Sequence, residues 1–371
     1  MEEAAEMQIY LTKKLAEASS TALTPAFDDI DPFFCWTANW TNTFDRRKED
    51  MVVMVNNATR FTVSIFGIKR NQFKNIAEKM VSAIRDTLLA MNINSEIVDL
   101  YIKRAGKVTF SANRSRKFTA WVNNQGMDAA FVVGRTVNES EGKLKFDDTL
   151  GYCISRRPVG YSGSNDGFIP AEEFIKALTA LTGLPAYKYR AFELLVTLDL
   201  DIYKAVRRLI VPADLEFSKL HSVLQSVYSW KNCHLYDFTV FDEKTGQSVV
   251  SLAEGEDVFL NEDETTPVAG HKLSEYLPAY KRMLYTYDFG DGWEHEIECV
   301  HVIENYDKES PYLVEASGQA PPEDVGGVSG FLDFRKIMLD PRHPEYAETK
   351  EWAGYWQPEL SNWESRPHVV H

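Results

Sequence analysis

Three observations predict a chain of two α+β domains. Apolar residues recur with a period of two in some segments and at helical spacing in others, often side by side. At 371 residues the chain has material for two domains of ordinary size, each able to bury a core. Charge is divided unevenly: residues 1–182 carry 23 Lys and Arg against 22 Asp and Glu, and residues 183–371 carry 17 against 33. A net of +1 beside a net of −16 separates two domains with different surfaces. The boundary is placed at Leu184-Pro185-Ala186, giving domains 1–184 and 185–371.

In the first domain Met7 to Leu11 is a strand, followed by an acidic, Pro-containing loop to Pro32. Met51 to Val55 and Phe61 to Phe66 form a hairpin around Asn56-Asn57, a turn signal. Asn71 is placed to cap a helix on which Phe73, Ile76, Met80, Ile84 and Leu88 share a face. A shorter helix starts at Ser95 and ends before Gly106, and a third starts at Pro170 and ends before Gly183. The stretches from Val137 to Asp148 and from Gly160 to Gly167 are polar or glycine-rich and are assigned to loops.

The second domain opens with strands over Ala191–Leu198 and Val206–Val211. Phe217, Leu220, His221, Leu224, Val227 and Tyr228 then recur at helix spacing, and Trp230 closes that helix. Leu235 to Phe241 is a third strand, Gly255 to Gly270 an acidic loop, and the Pro-, Gly- and Trp-rich tail after Asn305 irregular. Two strands, one main helix and further strands describe a β-grasp-like mixed sheet packed on that helix.

The most informative stretch is Tyr285-Thr-Tyr-Asp-Phe-Gly-Asp-Gly-Trp-Glu-His295. A period of two on both sides of the glycines predicts a hairpin with His295 pointing inward beside Trp293 and Ile297 while the glutamates face water. Asp288-Phe-Gly290 also spells a kinase magnesium motif, but the Gly-rich loop and the His-Arg-Asp sequence that a kinase requires are missing.

Several islands in the second half run in one order: Arg207-Arg208 with Val211-Pro212, Leu220-His221 and Gln225, Trp230 with His234-Leu235 and Phe238. They continue through Tyr287-Asp-Phe-Gly-Asp291, Trp293-Glu-His295, Pro321-Pro-Glu-Asp-Val-Gly-Gly327, Asp340-Pro341 with His343-Pro-Glu345, and Trp352. Across residues 189–356 this pattern resembles the plasmid pRiA4b ORF-3-like family, also called insertion-element TnpR-like passenger proteins. The resemblance implies an association with mobile elements and carries no established activity. Two positions depart from it: Tyr203-Lys-Ala-Val206 stands where Pro-Pro-x-Trp is usual, and Gln319-Ala320 where a cysteine precedes Pro-Pro-Glu-Asp. A metal site built on that thiolate lacks its sulfur here. In the first half, Thr12-Lys-Lys-Leu15, Trp36-x-x-Asn39, Val53-Met-Val-Asn56 and Asn113-Arg114-Ser115 resemble a bacterial domain of unknown function.

Candidate chemistry is sparse. His221, His234 and His295, with Asp288 and Asp291, form a candidate divalent-metal set, because imidazole with carboxylate suits zinc, iron or manganese. The competing account is that each histidine is hydrogen-bonded in the core and the aspartates cap the turn. Asp288, Asp291, Glu323 and Asp324 are the candidate catalytic carboxylates, against which stands a stiff Pro-Pro loop with its acids on backbone amides. Arg114, Arg116 and Lys117 lie near Phe118 and Trp121, a pattern able to hold phosphates and stack bases, or simply a solvated face. Walker, dinucleotide and Ser–His–Asp fingerprints are absent from the sequence.

The four cysteines lack C-x-x-C spacing and are expected to be buried, reduced thiols, which points to the cytoplasm. No apolar run approaches a membrane span. The reading is a two-domain binding module with a protein partner, set in a mobile-element or defence context. The alternatives are a metal-dependent hydrolase centred on the Asp288–His295 hairpin and nucleic-acid binding through the first domain.

Overall fold

The computed structural model describes residues 6–27, 29–42, 49–137, 147–160, 167–254, 265–354, 356 and 364–370. Two compact units, residues 1–188 and 189–371, divide the chain. Each combines helices with a sheet, so the two-domain α+β class is what the sequence predicted.

In the first unit β1 (Met7–Leu11) leads through α1 (Lys13–Ser19) to β2 (Cys35–Thr41), which pairs parallel to it. β3 (Met51–Asn56) and β4 (Thr62–Phe66) add antiparallel neighbours. The helices α2 (Ile76–Ala90) and α3 (Ser95–Ala105) intervene before β5 (Val108–Ala112) closes the other edge, giving the order β4-β3-β2-β1-β5. Then follow α4 (Arg116–Val137), α5 (Asp147–Ser155), the short pair β6 (Val159–Gly160) and β7 (Gly167–Phe168), and α6 (Pro170–Thr182).

Every residue of β3 is buried, so both faces of this sheet are covered. Met51, Val53 and Val55 meet Val122 and Ala129 of α4 and Leu150 and Ile154 of α5. Each buried Met, Val, Leu or Ile side chain among them contributes about 1.5–3 kcal/mol by leaving water. The Asn56 carboxamide accepts from Ala58 N and Thr59 N, both at 3.1 Å, which makes the predicted hairpin turn. The Asn71 cap was misplaced. Arg70–Gln72 is a 3-10 turn, and the residue before α2 is Asn75, in the left-handed region with φ 58°. α4 and α5 were not foreseen, because polar residues interrupt their apolar spacing. The loops assigned to 137–148 and 160–167 lie mostly outside the described residues.

In the second unit β8 (Tyr189–Asp199) and β9 (Lys204–Pro212) form a hairpin, and α7 (Phe217–Tyr228) follows. β10 (Tyr236–Phe241), β11 (Ser248–Ala253), β12 (Thr265–Pro267), β13 (Arg282–Tyr287), β14 (Trp293–Tyr306) and β15 (Tyr312–Ser317) come next. The sheet order is β12-β11-β10-β13-β14-β8-β9-β15, with the two-residue strands β16 (Glu364–Ser365) and β17 (His368–Val369) on β15. β11 and β12 run parallel and the other pairs antiparallel, so the sheet is mixed.

α7 lays Phe217, Leu220, Leu224, Val227 and Tyr228 on this sheet. Ser229 ends it in the left-handed region at φ 62°, and Trp230 N returns to Gln225 O at 2.9 Å. The tail after Asn305 is not irregular as expected: it holds β15 and two helices, α8 (Gly327–Leu339) and α9 (Tyr346–Ala353). Phe331, Phe334 and Met338 on α8 are spaced for a helix face, a period masked by the surrounding Gly and Pro. Part of the acidic stretch Gly255–Gly270 is β12, and residues 255–264 lie outside the described residues. Of the four cysteines, expected to be buried, Cys35 and Cys299 are, while Cys153 and Cys233 are exposed. No helix among the described residues is long and apolar enough to cross a membrane.

Candidate functional site

α7 places His221 and Gln225 one turn apart on the face that meets β13. Strand alternation turns Tyr285 and Tyr287 to the same side of the sheet, in register with His295 and Trp293 on β14. A closed polar circuit results. Gln225 Nε2 donates to Tyr285 Oη at 3.1 Å, and that hydroxyl stands 2.7 Å from His221 Nδ1. His221 Nε2 lies 2.6 Å from Asn232 Oδ1, and Asn232 N donates to Gln225 Oε1 at 2.8 Å. Because the carboxamide oxygen only accepts, the proton sits on Nε2 and Nδ1 accepts from the tyrosine. The imidazole also stacks on Tyr236 at 3.6 Å with planes 4° apart. Burial lowers the His221 pKa, partly opposed by the Asn232 contact, and burial raises that of Tyr285.

His295 points inward as the alternation predicted and is 0% exposed. Its Nδ1 faces the carbonyls of Trp293 at 3.1 Å and Tyr285 at 3.2 Å, so that nitrogen carries the proton. Its Nε2 has no hydrogen-bond partner and lies among the rings of Tyr228, Trp230 and Tyr285. Burial pushes its pKa down to about 3, so the imidazole is neutral at physiological pH.

The turn after β13 holds Asp288 in the left-handed region at φ 57°, a conformation Asp tolerates better than most residues. Its Oδ1 accepts from Gly290 N at 3.0 Å and Asp291 N at 3.3 Å. Its Oδ2 lies 3.5 Å from His234 Nε2, and Asp324 Oδ1 lies 3.1 Å from the same nitrogen. Asp291 Oδ2 instead accepts from Gly326 N at 3.1 Å, tying the turn to the Pro-Pro-Glu-Asp loop. The next residue, Gly327, has φ 65°, and a Cβ there would stand 2.5 Å from Asp291 O. Glu323 Oε1 accepts from Tyr287 Oη at 2.7 Å and Lys231 N at 2.9 Å.

The three candidate histidines are therefore not assembled into one centre. His221 has both ring nitrogens engaged, and His295 is enclosed by aromatic rings. The ligand-type group that the described residues bring together is His234, Asp288 and Asp324, with one atom from each lying within 4.8 Å of the others. Asp291 and Glu323 stand next to it and hold backbone and tyrosine partners.

Beside this group a cleft of about 570 Å³ is walled by Trp230, Pro321, Pro322, Trp352 and Trp356, with Lys231, Glu323 and Asp324 also lining it. Its walls are tied to one another: Trp230 Nε1 donates to Pro321 O at 3.0 Å and Trp356 Nε1 to Ala320 O at 3.1 Å. Arg207 also lines the cleft and is 1% exposed. It donates to Val227 O at 2.8 Å, Gly318 O at 2.9 Å and Ser317 O at 3.0 Å, and burial lowers its pKa. The sequence reading missed Arg207, Gln225, Asn232, Tyr285 and Tyr287 as site residues. The available signal was the alternation that turned two tyrosines inward, because a buried phenol needs a hydrogen-bond partner.

In the first unit Arg114, Arg116 and Lys117 are exposed around the start of α4. Lys117 Nζ lies 4.6 Å from the centre of the Trp121 ring, and the Arg60 guanidinium lies 4.9 Å from that same ring. The indole on which a base would stack already carries two cations.

Residues 8–173 match the profile of a domain of unknown function (DUF6933), and residues 190–365 match that of the plasmid pRiA4b ORF-3-like protein. Over 163 residues the chain is 38% identical to an uncharacterized protein, y4hQ, of Sinorhizobium fredii (strain NBRC 101917 / NGR234). That alignment covers 43% of this chain and 78% of y4hQ. A crystal structure of a protein of unknown function, MM3350 from Methanosarcina mazei Go1, is similar at 29% identity and a TM-score of 0.41, covering 46% of this chain and 93% of that one. The islands around Arg207, His221, Trp230, Asp288, His295 and Glu323, scattered along the sequence, meet at this one end of the second unit. Through residues 190–365, the chain belongs to the plasmid pRiA4b ORF-3-like family.

Proposed function

We propose that the second unit is a protein-binding module that takes an extended peptide segment bearing Arg or Lys in the tryptophan-walled cleft. The observation that carries this reading is the pairing of apolar aromatic walls with accessible carboxylate at the rim. Trp352 is 51% exposed, and the Asp324 side chain is 67% exposed. Aromatic faces and carboxylates both attract guanidinium and ammonium groups. The net charge of −16 over residues 183–371 draws cationic partners in and repels a phosphate backbone. Arg207 does not cancel this at the rim, because it is buried and its Nε and Nη1 donate to main-chain carbonyls. The hydrogen bonds that hold Trp230 and Trp356 to the neighbouring loop limit the ordering cost of binding.

Hydrolysis and nucleic-acid binding have weaker support, since the three-histidine centre is not gathered and Trp121 is occupied by cations. We place the module in the cytoplasm on the scattered spacing of its cysteines, and in a mobile-element or defence setting on the family resemblance. The test is a tryptophan-fluorescence titration with a tetra-arginine and a tetra-glutamate peptide. A saturable change with the first alone, lost in Trp352→Ala and weakened in Asp324→Asn, is expected. An equal response to both peptides, or none, rejects the reading.

A further inference from the structure

We propose that His234 Nε2, Asp288 Oδ2 and Asp324 Oδ1 form a binding site for one divalent transition-metal ion of the zinc or manganese type. The three ligands arrive from separate places: the loop before β10, the turn between β13 and β14, and the loop before α8. Yet one donor atom from each lies within 4.8 Å of the other two. With metal–ligand bonds of about 2.1 Å, neighbouring donors of a tetrahedral site stand about 3.4 Å apart. The separations of 3.5 Å from His234 Nε2 to Asp288 and 3.1 Å to Asp324 lie on either side of that spacing.

A second observation points to a ligand. His234 Nε2 is buried as an atom and has no hydrogen-bond partner, although both carboxylate oxygens are near it. A buried nitrogen within 3.5 Å of two carboxylate oxygens and hydrogen-bonded to neither is placed to share a cation with them. The Asp288 side chain divides its work. Oδ1 is held by Gly290 N and Asp291 N, which leaves Oδ2 to face His234.

The donor chemistry narrows the ion. Two carboxylates carry a formal charge of −2, matching a divalent ion, and one imidazole tilts the choice away from magnesium and calcium. Three protein ligands leave coordination positions for water or a ligand atom. Asp324 both lines the cleft and belongs to the group, so an ion held there sits at the cleft rim. Its open positions would take water or a neutral main-chain carbonyl oxygen.

The experiment uses the full chain, stripped with EDTA and titrated with Zn²⁺ and with Mn²⁺ by calorimetry, without peptide, so it stands or falls apart from the cleft reading. One equivalent of Zn²⁺ per chain is expected, with a raised Tm because the folded state alone presents the site. Asp324→Asn and His234→Gln are each expected to weaken binding at least about tenfold, an effect that even supporting residues of metal sites reach. His301→Gln, an exposed histidine away from the group, leaves binding unchanged. Asp324 is mostly exposed, so its variant keeps the fold, which circular dichroism verifies. Absence of saturable binding overturns the proposal. So does binding that survives in Asp324→Asn and His234→Gln.

Discussion

The Tyr285 hydroxyl stands 2.7 Å from His221 Nδ1, linking the central hairpin to the helix that covers it. Gln225 donates to the same oxygen, so one phenol serves as both acceptor and donor between two residues of α7. Removing it leaves two buried polar groups without their partner. Tyr285→Phe is expected to lower stability by about 1–3 kcal/mol. In a double-mutant cycle with His221→Phe, a coupling of roughly 0.5–3 kcal/mol is expected from urea unfolding. Strict additivity would show that the contact contributes nothing.

His295 makes stability depend on pH. Its pKa is held at about 3 in the folded protein, against an ordinary value near 6.5 once unfolded. Below about pH 6.5 the unfolded chain therefore binds a proton that the folded chain refuses, and stability falls as pH drops toward 3. The slope is about 1.36 kcal/mol per pH unit from this one group. His295→Met, which fills the aromatic box without a titrating ring, is expected to flatten the curve of unfolding free energy between pH 6.5 and 4 by one proton. An unchanged slope would mean that His295 titrates normally.

Gly327 holds the Asp324 loop against the hairpin turn. Its φ of 65° and a Cβ position 2.5 Å from Asp291 O leave no room for a side chain. Gly327→Ala is expected to cost about 1–3 kcal/mol through overpacking. It should also weaken metal binding by separating Asp324 from Asp288. Gly292→Ala, strained at φ 66° but with open space around its Cβ, should cost less. Equal losses in thermal unfolding for the two variants would contradict the packing argument.

We propose that the two halves fold independently, and the residues after Leu184 bear on where to cut. Asn94 N donates to Ala186 O at 2.7 Å, and Ile93 bridges to Tyr187. A polypeptide ending at Lys188 keeps these bonds at the start of α3, and one ending at Leu184 loses them. The longer polypeptide is expected to melt at a higher temperature, and the C-terminal remainder to unfold in a single cooperative transition. Failure of both halves to show cooperative melting would reject independent folding.

Much of the fold was legible because periodicity is a local property. The spacing of Phe217, Leu220, Leu224 and Val227 announced α7, and the alternation through Trp293, His295 and Ile297 announced β14 with its buried histidine. Gly183 and Gly106 marked helix ends correctly. α8 was hidden because Gly and Pro around Phe331 and Phe334 read locally as loop, and only burial against the sheet makes that segment a helix worth forming.

Partnership among the polar residues was a different matter. From sequence, His221, His234 and His295 were equivalent members of one set. Which of them meets a carboxylate depends on where a strand places it and how far neighbouring loops fold over. The tyrosine circuit engages both nitrogens of His221, aromatic rings enclose His295, and the crossing of the Asp288 turn by the Asp324 loop reaches His234 alone. The chain's own order could determine that His295 faces inward, because a strand's side chains alternate regardless of what lies across from them. It could not determine that His234 stands between Asp288 and Asp324, because those distances are set by packing between segments remote in sequence.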